Sequence, residues 1–103
     1  MVYIQVCIPE KNRIYDFKIS TQLNIATLKS LILEAVYNVK YDNEFIRENY
    51  LFLSFNDNKK LEDDLTIDDY AIHNGEKFLL IWHIKKHAII LKACFLFLNH
   101  IIQ

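Results

Sequence analysis

The chain has 103 residues, with 12 Lys+Arg against 13 Asp+Glu and 52% apolar side chains, which is room for one small domain and excludes a multidomain enzyme. A formal charge of −1 gives no overall attraction to nucleic acid, and 14% aromatic with 24% charged residues is unlike the composition of a disordered chain. A single Gly (Gly75) and a single Pro (Pro9) leave no material for a glycine-rich phosphate loop. Cys7 and Cys94 lack CxxC spacing and form no framework of the secreted type, so a reducing compartment is expected. Alternation begins at the first residues, where a signal segment would need a basic stretch and then an apolar one, and the chain reads as cytoplasmic.

Val2, Ile4, Val6 and Ile8 alternate with Tyr3, Gln5 and Cys7, the period of a half-buried strand. The polar run from Pro9 to Arg13 is of hairpin length, and Tyr15, Phe17 and Ile19 then alternate with Asp16 and Lys18, completing a β-hairpin. Asn24 is a plausible N-cap. Beyond it Ile25, Leu28, Leu31, Ile32, Ala35, Val36 and Val39 recur at three- and four-residue spacing, predicting a buried helix of about four turns. Residues 40–49 read as a polar loop, residues 50–55 as an aromatic strand, and Asn56 to Lys59 as a turn of side chains that tolerate the left-handed region. Leu61 is expected to begin a short fourth strand. A 3₁₀ passage through residues 65–72 follows, then a turn at His73, Asn74, Gly75 and Glu76, then a final apolar strand over residues 77–82.

A hairpin, one long helix and further strands predict an α+β layer arrangement: a mixed sheet of four to five strands with one helix across a face, the β-grasp. The passage from Leu61 to Trp82 resembles the last third of a ubiquitin-like domain, with Thr66, Ile67, Asp68, Asp69, Tyr70, Ala71 and Ile72 at the matching positions. The resemblance implies that Tyr70 braces the loop with its hydroxyl, that Ile67 and Ile72 plug the core, and that Gly75 makes the turn. It covers residues 1–84 as the domain, with residues 85–103 as an apolar, basic-flanked tail.

Conjugation of a ubiquitin-like protein needs an unhindered Gly-Gly end. Just past the last strand this chain has His83, Ile84, Lys85, Lys86 and His87 instead. The expectation is therefore a non-enzymatic, non-covalent protein-binding module without a cofactor. With Asp69, Tyr70, Ile72, Gly75 and Glu76 in the same spacing, the chain looks most like the small YukD/EsaB-type ubiquitin-like proteins of bacterial type VII (ESX-like) secretion. That resemblance implies an accessory or regulatory role, with a membrane or ATPase subunit of the secretion machine as partner. The alternative is a stand-alone eukaryotic-type ubiquitin-like adaptor or modifier. Strand periodicity puts Phe78 and Leu80 against the helix, and Phe52, Ser54, Leu79 and Ile81 are the candidate partner-binding residues on the outer sheet face.

Residues 88–102 hold twelve apolar residues among fifteen, interrupted by Lys92, Asn99 and His100. Fifteen is short of the ~20 of a spanning helix, and a central Lys opposes insertion. Packing on the domain, a homodimer contact, contact with a membrane surface at the inner face of the cell membrane, and no selected role are the tail's open readings. No metal site is expected. The His83 and His87 pair falls at a strand end without the HExxH glutamate. Cys7 reads as a structural thiol, and Glu62, Asp63, Asp64, Asp68 and Asp69 lack the Asp-x-Asp-x-Asp-Gly pattern of a calcium loop. Lys59 and Lys60 stand beside those five acids, which disfavours nucleic acid as a partner.

Overall fold

A computed structural model describes residues 1–83 of the chain. Its strands are β1 (Val2–Ile8), β2 (Arg13–Ile19), β3 (Tyr50–Ser54) and β4 (Glu76–Trp82), and its helices are α1 (Ile25–Tyr37) and α2 (Asn43–Asn49), with single 3₁₀ turns at Pro9–Lys11 and Asp68–Tyr70. The four strands form one mixed sheet in the order β2-β1-β4-β3. β1 pairs antiparallel with β2 and parallel with β4, and β3 pairs antiparallel with β4. The tail 85–103 lies outside the described residues.

Local chemistry sets the elements. Pro9 opens the 3₁₀ turn of the hairpin and Asn12 closes it at φ 53, a left-handed position that asparagine tolerates better than most side chains. Asn24 caps α1 by accepting the Thr27 amide at 2.8 Å, and Asn38 ends it at φ 57. Asn58 takes φ 56 in the turn after β3, where side chains of that tolerance were expected.

The core lies between α1 and one face of the sheet, where Val2, Ile4, Val6, Ile8, Phe52, Phe78 and Leu80 meet Ile25, Leu28, Ile32 and Leu33. Phe52 and Phe78 stack at 5.0 Å between ring centres, contributing about 0.5–1.5 kcal/mol beyond the area they bury.

Three expectations are corrected. The stretch 40–49 is not wholly a loop: α2 forms there because Ile46 reaches the core and is 1% exposed, and Phe45 stacks on Tyr41 at 5.2 Å. Leu61 starts no strand. It is buried and its amide donates to Phe52, but Lys60 makes only an isolated bridge to Leu53, so the sheet has four strands. On α1, Leu31 is exposed and Val39 lies beyond the helix, while Leu33 and Lys29 turn inward.

Lys29 was not foreseen in the core. Its ammonium donates to the Tyr50 carbonyl at 2.8 Å and pairs with Asp63 at 2.6 Å, tying α1 to the start of β3 and to the loop before the second 3₁₀ turn. Burial pulls the Lys29 pKa below the usual lysine value, and Asp63 only partly restores it. Replacing Lys29 leaves a buried carbonyl and carboxylate without their cation. Lys29→Ala is expected to lower the unfolding free energy by about 3 kcal/mol, read from urea denaturation; a loss under about 1 kcal/mol would mean that the pair is not formed in solution.

Candidate functional site

In an antiparallel pair, directly opposed residues share a sheet face. Leu53 lies opposite Leu79 and Leu51 opposite Ile81, and on the parallel side Cys7 is beside Leu79. These residues form a second apolar cluster on the face turned away from α1, with Cys7, Leu53, Leu79 and Ile81 buried and Leu51 and Phe55 partly buried at its rim. The other end of the same face is polar and exposed, at Tyr3, Asp16, Lys18 and Lys77. Lys18 sits 5.5 Å from the centre of the Tyr3 ring at that polar end, while Lys77, 5.8 Å from the centre of the Phe55 ring, borders the apolar end. Burial pushes the Cys7 thiol pKa upward, and nearby Lys77 opposes the shift.

Of the four candidate partner-binding residues, Leu79 and Ile81 lie on this outer face, and both are buried where an exposed surface was expected. Phe52 and Ser54 do not lie there. Phe52 pairs with Leu80 and Ser54 with Phe78, so the register turns both toward α1, and Phe52 is part of the main core. The reason is parity. Five of the six residues from Tyr50 to Phe55 are apolar, so the sequence does not mark which set faces inward, and a one-residue difference in register exchanges the faces. Leu51 and Leu53 take the β3 positions on the outer face that Phe52 and Ser54 were expected to fill, and Cys7 joins them from β1.

The loop residues meet as a unit. Ile67 is fully buried and Ile72 packs against the core. The Tyr70 hydroxyl accepts the Glu62 amide at 2.7 Å across eight residues of chain. Thr66 and Asp69 exchange side-chain to backbone bonds of 2.9 and 3.1 Å, a reciprocal pair of the capping-box kind that satisfies the turn's free amides. Gly75 stands at φ +85 and donates its amide to the Tyr3 carbonyl at 2.8 Å, while the Tyr3 amide donates to Asn74 Oδ1 at 2.9 Å, fastening the entry of β4 to β1. Within the acidic stretch Asp63 pairs with Lys29 and Asp64 with Arg47. Among the described residues no group of three or more His, Cys, Asp or Glu side chains is placed to hold a metal ion. Nor is any helix among them long and apolar enough to cross a membrane.

Neither a protein-family model nor a curated protein sequence matches the chain. Solved structures do. ATBAG1 in complex with HSP70 is similar at a TM-score of 0.61 and 14% identity, over 99% of this chain and 49% of that one, so the chain spans about half the length of that protein. The UBL domain of Plasmodium falciparum Dsk2 is similar at a TM-score of 0.61 and 15% identity, over 80% of this chain and 97% of that one. At such identities the likeness is one of fold, and the fold is the ubiquitin-like β-grasp.

Two substitutions test the loop. Tyr70→Phe is expected to cost about 1 kcal/mol through the lost hydroxyl acceptor, measured as a lower urea midpoint at unchanged slope. A Cβ at Gly75 would meet no atom within 4 Å, so Gly75→Ala should cost only the left-handed backbone penalty of about 1–2 kcal/mol; a neutral result would deny that φ in solution.

Proposed function

We propose that the chain is a non-enzymatic, ubiquitin-like protein-binding module that acts in the cytoplasm by non-covalent docking and needs no cofactor. The observation that carries this reading is the second apolar cluster. The helices complete the main core on one sheet face, yet Cys7, Leu51, Leu53, Leu79 and Ile81 form another apolar cluster on the opposite face. Leu79 and Ile81 are its centre and Leu51 its accessible rim. Non-covalent action follows from the residues after β4, where His83, Ile84 and Lys85 stand in place of a Gly-Gly end.

The finer reading is an accessory or regulatory component of a type VII (ESX-like) secretion system, with a membrane or ATPase subunit as partner. It is supported by the resemblance of the passage through Asp69, Tyr70, Ile72, Gly75 and Glu76 to the YukD/EsaB-type proteins. A stand-alone ubiquitin-like adaptor is the second reading. It is favoured by the likeness of fold to a UBL domain and to a protein solved in complex with HSP70, which makes a chaperone a second class of partner to test.

The experiment compares binding of the full chain to the cytosolic part of the type VII ATPase from the same genome and to HSP70, with Leu51→Lys as the rim variant. The secretion reading expects the ATPase to bind and Leu51→Lys to weaken that binding about tenfold or more. Binding to HSP70 alone moves the assignment to the adaptor. Equal binding by the variant would remove the outer face as the docking surface, and an activating enzyme that charges the chain as a thioester would overturn non-covalent action.

A further inference from the structure

The strand order β2-β1-β4-β3 puts β2 at one edge of the sheet, and among the described residues no strand pairs with its outer side. The edge at β3 is different: the Ser54 amide donates to the Lys59 carbonyl and the Leu61 amide to the Phe52 carbonyl, so the returning chain closes it. Parity shows which groups β2 leaves open. The Tyr3 carbonyl accepts the Gly75 amide and the Tyr3 amide donates to Asn74, so Tyr3 turns its backbone toward β4, and its neighbours Val2 and Ile4 turn theirs toward β2. Ile19, Phe17, Tyr15 and Arg13 are therefore the β2 residues that bond to β1. The amides and carbonyls of Ile14, Asp16 and Lys18 point outward from the sheet edge, on residues that are all exposed.

We propose that a second copy of this chain fills that edge, β2 against β2 in antiparallel register with Phe17 at the two-fold axis, so that two sheets become one. Charge selects both the occupant and the register. With Phe17 at the axis, Asp16 of each copy stands opposite Lys18 of the other, on the outer face of the joined sheet. Moving the axis to Asp16 would oppose two carboxylates, and moving it to Lys18 would oppose two ammonium groups. Backbone bonds across the edge can be exchanged only between outward-pointing residues, a condition that Asp16 and Lys18 also meet. On the other face the two Phe17 rings come together beside an apolar groove of ≈ 380 Å³ between β2 and α1, which Phe17 lines with Leu23, Leu28, Leu31, Ile32 and Ala35. Leu31, 47% exposed on α1, is covered by that approach. The contact is isologous and uses the open edge of each copy, so it closes as a dimer and does not propagate.

Charge reversal in the full chain tests the register. Asp16→Lys places like charges opposite each other on both sides of the axis, and Lys18→Asp does the same with the other sign. Each variant alone is expected to dimerise about tenfold more weakly than the unsubstituted chain, whose Kd should be about 0.1 mM or tighter by sedimentation equilibrium. An equimolar mixture of the two variants sets opposite charges across the axis again and should recover the original affinity to within about threefold. Amide exchange in the unsubstituted chain needs no variant. The Asp16 and Lys18 amides should exchange about threefold or more slowly at ~1 mM than at ~10 µM, while those of Tyr15 and Phe17, bonded to β1, keep their rates. A chain that stays monomeric at ~1 mM, a dimer indifferent to either reversal, or a mixture no tighter than its parts would overturn the proposal. Exchange at Asp16 and Lys18 that does not vary with concentration would overturn it equally, assigning the edge to a cover within one copy or to another protein's strand. None of these readouts involves Leu51, the ATPase or HSP70, so the dimer and the docking reading fail separately.

Discussion

The structure depends on a strand that is buried on both faces. β4 lies inside the sheet, parallel to β1 on one side and antiparallel to β3 on the other, and Phe78, Leu79, Leu80 and Ile81 have almost no exposed surface. A strand in that position reads as an unbroken apolar run, and it is stable only if both faces find a cover. Phe78 and Leu80 meet α1 through the main core. Leu79 and Ile81 lie on the other face, in the second apolar cluster with Cys7 and Leu53.

Around this strand the irregular parts act as fasteners. Tyr70, Thr66 and Asp69 hold the passage that returns the chain from α2 and β3 to the sheet, and Asn74 with Gly75 fixes where β4 begins against β1. Lys29 and Asp63 join the helix layer to the same passage from below. These contacts are mostly single hydrogen bonds of about 1 kcal/mol each. Their combined effect is to fix the register in which the larger apolar surfaces meet.

Much of the fold was legible in the sequence because its periods are clean. The alternation in residues 2–8, the cap at Asn24 and the left-handed position in the turn at residues 56–59, taken by Asn58, all correspond to features of the structure. The elements that were not legible share a cause. In residues 40–49 one apolar side chain, Ile46, recruits a polar stretch into a helix through a contact that is not local. Lys29 is buried because a carbonyl and a carboxylate from distant segments await it. The outer face was legible in part: β4 is long and its parity follows from Phe78, but β3 is apolar at nearly every position and its facing is decided by pairing with β4. Phe52 and Ser54 were therefore expected on the wrong side.

The parallel pairing of β1 with β4 joins the first strand of the domain to its last, about seventy residues apart, with β1 held in the interior of the sheet. As the chain emerges from the ribosome, the opening hairpin can close early, but one side of β1 keeps its row of unpaired amides and carbonyls until residue 82 is free. That late closure gives the domain a high contact order and a slow final step. During that interval the growing chain carries an open strand edge beside unfilled apolar positions, the condition under which nascent chains pair with one another.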